Sequence, residues 1–125
     1  MAAKRLLIID DDPAITQTIE RIAVGCRYEA RSTTDAASFR QLVVNWRPTH
    51  IMLDLQMPGT DGVELLRELL PGPDAARIVI VSGVEGRVVE AARRLGIERK
   101  LNIAATLLKP FRAAELRHLL EEIAG

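Results

Sequence analysis

Leu6-Leu7-Ile8-Ile9-Asp10-Asp11-Asp12-Pro13 is the stretch on which the fold turns. Four apolar residues in an unbroken run suit a β-strand buried on both faces, since a half-exposed strand would alternate. Three aspartates follow at once. Asp12-Pro13 reads as a helix start: a short acceptor side chain at the N-cap, then proline at the first helical position. Ile15, Ile19 and Ile22 then fall on one face of that helix.

The same unit repeats along the chain. Tyr28 to Ser32 is a weaker strand, nearer an edge. Phe39, Leu42, Val43 and Trp46 mark a second helix at i, i+3, i+4, i+7, and Pro48 lies just beyond it. Ile51-Met52-Leu53 is a third buried strand ending at Asp54. Met57-Pro58-Gly59 reads as a loop, and a third helix starts near Thr60 or Asp61, carries Val63, Leu66 and Leu70, and is broken by Pro71-Gly72-Pro73. Ile78-Val79-Ile80-Val81 is the clearest strand. The fourth helix is expected from about Gly86 to Leu95 with Gly96 as its C-cap. Ile103 to Leu108 is the fifth strand, and the last helix carries Leu116, Leu119, Leu120 and Ile123 on one stripe.

Strict alternation of buried strands and amphipathic helices implies an α/β fold: a doubly wound, five-stranded parallel sheet covered on both faces. One domain spanning 1–125 accounts for the length, with no repeat or linker. Seventeen basic residues balance seventeen acidic ones, so charge offers no case for binding nucleic acid or a membrane. Cys26 is the single cysteine and suits a reducing cytoplasm. Met1 to Arg5 carries no apolar run of signal-peptide length, and no run is long enough to span a bilayer.

In doubly wound sheets, ligands bind outside the carboxyl ends of the strands. Here those ends carry Asp10-Asp11-Asp12, Asp54, Ser82 and Lys109-Pro110. If the first and third strands are neighbours, Asp10, Asp11 and Asp54 share one pocket. Converging carboxylates repel, and a divalent cation relieves the conflict. Hard oxygen ligands with open positions favour Mg²⁺, which retains waters and completes its shell with phosphate. Lys109 supplies a fixed cation and Ser82 a hydroxyl. Such a constellation suits a phosphoryl group, and a carboxylate can itself be the nucleophile.

Four motifs in order, Leu-Ile-Ile-Asp-Asp-Asp-Pro from Leu7, Met52 through Gly62, Val81-Ser82-Gly83 and Lys109-Pro110-Phe111, resemble the receiver domains of two-component response regulators. The resemblance covers essentially the whole chain. It implies the (βα)5 flavodoxin-like fold with strand order 2-1-3-4-5. It implies that Asp54 is the phosphoacceptor and that Asp10 and Asp11 hold Mg²⁺, Asp11 directly and Asp10 partly through water. It also implies a ligand role for the Gln56 backbone carbonyl, a switch role for the Ser82 hydroxyl, phosphoryl contacts for Lys109 and a cis Lys109–Pro110 bond. The implied phosphodonor is a histidine kinase or a histidine phosphotransfer protein. The implied output is a changed surface around the fourth helix, fifth strand and fifth helix, read by a partner or an attached domain. A phosphorylation-dependent dimer is compatible with it. A protein of this kind is a phosphoacceptor that catalyses its own phosphorylation and slow dephosphorylation, rather than an enzyme acting on other molecules.

Two departures stand out. Thr106 occupies the position, three before the lysine, where receivers commonly carry an aromatic. And 26 residues separate Ser82 from Lys109, several more than is typical, with the surplus expected around Arg94 to Asn102. The region from Leu95 to Phe111 is similar to receivers attached to cyclic-di-GMP phosphodiesterase domains, so an excised receiver and a stand-alone regulator both fit the neat close at Gly125.

Two other chemistries fit these residues less well. A phosphatase of the haloacid-dehalogenase type wants a second acid two residues after its nucleophile, where this chain has Gln56. A flavodoxin-like FMN site wants a hydroxyl- and glycine-rich loop after the first strand, where this chain has three aspartates that would repel phosphate. The remaining polar residues read as structural: Asp12 and Asp61 as helix starters, His50 as a structural histidine, His118 as solvent-facing, Cys26 as a small hydrophobe, and Arg93, Arg94, Arg99 and Lys100 as a solvated face. Gln56 and Val84 are expected to flank the site and tune water access.

Overall fold

The structure is a computed structural model that describes residues 3–83 and 86–125. Its elements are β1 (Arg5–Ile9), α1 (Pro13–Gly25), β2 (Glu29–Thr33), α2 (Ala36–Asn45), β3 (His50–Asp54), β4 (Gln56–Met57), β5 (Thr60–Asp61), α3 (Gly62–Glu68), β6 (Arg77–Ser82), α4 (Arg87–Glu98), β7 (Asn102–Leu108) and α5 (Ala113–Glu122). Five strands form one parallel sheet in the order β2-β1-β3-β6-β7. This is the expected 2-1-3-4-5 order. β4 and β5 are a separate two-residue antiparallel pair, so the expected loop around Pro58-Gly59 is the tip of a small hairpin.

Strand burial follows position in the sheet. Every residue of β3 is buried, as are all but the first of β6, whereas the edge strands β2 and β7 are mostly half-buried or exposed. That is why β3 and β6 read as continuous apolar runs and β2 does not. Side chains alternate across the sheet. Leu7, Ile9, Ile51, Leu53, Ile78 and Ile80 face one layer of helices, represented by Phe39 of α2, Leu65 and Leu66 of α3, and Ala92 and Leu95 of α4. Leu6, Ile8, Met52, Val79 and Val81 face the other, represented by Ile19 and Ala23 of α1 and Leu116 and Leu120 of α5. Removing such side chains from water supplies about 1.5–3 kcal/mol each.

The helix starts are chemically specified. Asp12, Asp35 and Asp61 cap α1, α2 and α3, accepting backbone N–H bonds from Ala14, from Ser38, and from Val63 and Glu64 respectively. Helix α4 departs from expectation at its end. It continues to Glu98, so Gly96 is inside it rather than its C-cap. The glycine serves close packing: a Cβ there would lie 2.4 Å from Ile103 Cγ1 of β7. The surplus segment is therefore taken up largely by extra helix, not by a loop. The β6–β7 register also slips by one residue, Ile78 pairing with Ile103 and Val79 with Ala105, which leaves Ala104 as a bulge.

Candidate functional site: a carboxylate cluster at the strand ends

The site forms where β1, β3, β6 and β7 end together. Backbone hydrogen bonds carry the strand pairing into the site itself. Asp10 N–H donates to Thr33 O at 3.3 Å, Leu55 N–H to Val81 O at 3.0 Å, and Lys109 N–H to Ser82 O at 2.9 Å. The residues bearing the chemistry are thus pinned to neighbouring strands rather than held on free loops. Asp10 and Asp54 are each 2% exposed, Ser82 is fully buried, and Asp11 is exposed at the mouth.

Lys109 joins the two buried carboxylates. Its Nζ donates to Asp10 Oδ2 at 2.6 Å and to Asp54 Oδ2 at 3.1 Å. The second oxygen of each acid is also held: Asp12 N–H donates to Asp10 Oδ1 at 3.0 Å, and Gln56 N–H to Asp54 Oδ1 at 2.9 Å. The Lys109–Pro110 bond is cis. Ser82 lies one residue beyond Val81, the β6 partner of Asp54. The Gln56 side chain is exposed and its amide oxygen lies towards Gly83. Val84, also expected to flank the site, lies outside the described residues.

The electrostatics are short of positive charge. One ammonium serves two buried carboxylates, with a third at the rim. Burial raises the Asp54 carboxyl above the usual carboxylate range, and Asp10 adds to this, while the Gln56 N–H and Lys109 pull the other way. Lys109 is also raised: burial works against its charge, but hydrogen bonds to Asp10 and Asp54 more than offset that. Asp10, Asp11 and Asp54 each offer a carboxylate oxygen within 4.8 Å of the others. An all-oxygen donor set with residual negative charge fits a small hard cation.

The other residues singled out in the sequence lie away from this cluster. His50 is buried at the opposite end of β3 and bonds backbone, and His118 is exposed and paired with Glu122. Thr106 lines an open groove of about 720 Å³ with Arg87, Val89, Arg93 and Leu108, between α4 and β7. Two features were not read from the sequence. The Lys109–Asp10 pair spans 99 positions and leaves no local signal. Gly62 lies against the Asp54–Leu55 backbone and is discernible in sequence only as part of the Asp61-Gly62 motif.

The family model for the response regulator receiver domain matches residues 6–121. The chain belongs to this family. The receiver domain is 31% identical over 78 residues to the response regulator MprA of a Mycobacterium species, covering 62% of this chain and 34% of that protein. It is 30% identical over 127 residues to a protein-glutamate methylesterase/protein-glutamine glutaminase of Burkholderia thailandensis, covering 96% of this chain and again 34% of that protein. The chain thus spans about a third of the length of these curated relatives. Among solved structures it superimposes on a response regulator from Colwellia psychrerythraea with a TM-score of 0.82, 27% identity and 98% of each chain covered. A receiver domain of a two-component response regulator is what the chain is. Among its described residues, no helix is long and apolar enough to cross a membrane.

Proposed function

We propose that this receiver accepts a phosphoryl group on Asp54 from a phosphohistidine, on a histidine kinase or a histidine phosphotransfer protein. The P–N bond of the donor breaks, a P–O bond to the Asp54 carboxylate forms, and the imidazole leaves with a proton. The carrying observation is the arrangement of Asp54 itself: a buried carboxylate with one oxygen held by the Gln56 N–H and the other by Lys109. That pre-aims the nucleophile without a general base, as a carboxylate needs none.

Asp10, Asp11, Asp54 and the Gln56 carbonyl would hold Mg²⁺, with Asp10 engaged partly through water because Lys109 and the Asp12 N–H already occupy its oxygens. When bound, the metal offsets the charge of incoming phosphoryl oxygens. Lys109 already stands 3.1 Å from Asp54 and meets those oxygens without moving far. Phosphorylation adds roughly −1.5 to −2 charges at this point. Ser82, at the end of the neighbouring strand, is drawn towards them. The shift passes into the segment from β6 to α4 and the α4–β7–α5 surface, read by an output partner or an attached domain in the cytoplasm. With Thr106 in place of an aromatic, the groove beside β7 is not filled by a swinging ring. The domain assists its own phosphorylation and slow hydrolysis and turns over no other substrate.

The test is incubation with Mg²⁺ and acetyl phosphate followed by intact mass. One added phosphoryl group is expected, absent in Asp54→Asn and in samples stripped of divalent metal. A wild-type protein that gains no adduct under these conditions overturns the proposal.

A further inference from the structure

The end of the sheet opposite the carboxylates holds a second polar cluster. Residues of β3 and β6, and Tyr28 just ahead of β2, reach across to carbonyls at and just beyond the end of α5, which a helix end leaves without internal partners. Tyr28 Oη, just before β2, donates to Leu120 O at 2.6 Å. His50 Nε2 of β3 lies 2.7 Å from Ile123 O, and Arg77 of β6 donates to the same oxygen at 2.7 Å and also to Gly125 O. The tautomer of His50 follows from its partners. A carbonyl only accepts, so Nε2 carries the proton. Nδ1 then accepts from the Thr49 hydroxyl at 2.7 Å, whose oxygen accepts the Arg5 N–H at 2.8 Å.

This arrangement suits a neutral imidazole and disfavours a charged one. His50 and the Arg77 guanidinium share one acceptor oxygen, so a protonated ring would place two cations on one carbonyl. Lys4, ahead of β1, lies 4.4 Å over the Tyr28 ring, and that ring meets His50 edge-on with centroids 5.0 Å apart. Protonation would also turn Nδ1 into a donor, forcing the Thr49 hydroxyl towards Arg5 O at 3.2 Å. His50 is 2% exposed, so solvent does little to screen the charge. Asp74 lines a cavity together with Lys4, His50 and Arg77, while the segment after α5 meets the ring with a backbone carbonyl. Burial first, then Arg77 and Lys4, hold the His50 pKa below its ordinary 6.5, against the bond to Ile123.

We propose that His50, with Tyr28 and Arg77, forms a proton-sensitive latch that fastens the C-terminal turn of α5 to the sheet at neutral pH and releases it on mild acidification. Nothing in this rests on phosphorylation of Asp54, which lies at the other end of the same strand. Its consequence is that the direction in which α5 ends responds to cytoplasmic proton concentration independently of the phosphoacceptor.

Amide hydrogen exchange on the full chain tests it, corrected for intrinsic rates, at about pH 7.5 and about pH 5.5. With His50 held below its ordinary 6.5 in the closed form and titrating normally in the open form, opening of residues 119–124 should rise at the lower pH, by up to about tenfold, while β3 and β6 stay protected. His50→Gln, which keeps an amide donor but cannot titrate, should abolish the dependence. His118→Gln should keep it, since that histidine is exposed and paired with Glu122 on the same helix. No pH effect in the wild type, persistence in His50→Gln, or loss in His118→Gln overturns the latch. Should His50→Gln fail to fold, an NMR titration of the wild type decides: the His50 ring and the 119–124 amides should share one midpoint, and separate midpoints refute the coupling.

Discussion

Gly62 lies against the backbone of Asp54: a Cβ at residue 62 would come 2.6 Å from the Asp54 carbonyl oxygen and 2.6 Å from Leu55 Cα. The first residue of α3 therefore packs directly on the chain that leaves Asp54. Neither contact is with a flexible side chain, so a larger residue must displace backbone.

Gly62→Ala should cost about 1–3 kcal/mol despite the better helix propensity of alanine. It should also slow adduct formation with acetyl phosphate, because the Asp54–Leu55 segment must shift to make room. Denaturant unfolding and intact mass measure the two effects. A midpoint equal to that of the wild type would show that the close approach carries no constraint.

Lys109→Ala leaves Asp10 and Asp54 facing each other without their shared cation. The expected loss is about 1–3 kcal/mol at neutral pH, the ordinary cost of stranding buried polar groups. Added Mg²⁺ should restore part of it, since a metal on the same carboxylates replaces the lost charge, and should stabilise the variant more than the wild type. Thermal shift with and without Mg²⁺ reports this directly. Equal metal responses in the two proteins would mean that Lys109 and the metal do not address the same charge.

Gly96 and Ile103 make the corresponding contact between α4 and β7. Gly96→Ala gains about 1 kcal/mol of helix propensity but meets Ile103 Cγ1, and the clash should win by about 1–3 kcal/mol. Ile103→Ala removes the obstacle, so the double variant should cost clearly less than the two single changes added together. Strict additivity in that cycle would disprove the contact.

Tyr28 is the only tyrosine, which makes its ionisation easy to follow by tyrosinate absorbance. Burial raises its pKa to about 12. A raised folded-state value means a stabilising contribution that is complete below the ordinary value of 10 and is lost as pH climbs from there towards 12. Native protein should titrate near the upper figure and denatured protein near the lower. Tyr28→Phe should lose about 1 kcal/mol with its bond to Leu120 O and should lack this alkaline component. Native titration near 10 would place the hydroxyl in solvent.

Much of the fold was legible because burial leaves a local trace. Strands buried on both faces must be apolar throughout, so β1, β3 and β6 announced themselves, and Asp12 and Asp61 marked helix starts through their capping chemistry. Where one glycine could serve two purposes, local reading failed. Gly96 looks like a helix stop by position, yet a neighbouring strand explains it. The small β4–β5 hairpin is too short for any periodicity to reveal.

The candidate site divides in the same way. The sequence alone determined which residues stand at strand ends, because a strand stops where its apolar run stops, and so it determined Asp10, Asp11, Asp54, Ser82 and Lys109 as a set. Only the tertiary structure decided how they pair. Lys109 bridges Asp10 and Asp54 because β7 enters the sheet beside β6, with β3 and β6 between it and β1, although Lys109 is 99 residues from Asp10. The same folding carries Tyr28, His50 and Arg77, separate in sequence, to one end of α5. Composition and periodicity report what each segment needs from its surroundings, whereas strand order and register determine which distant group supplies it.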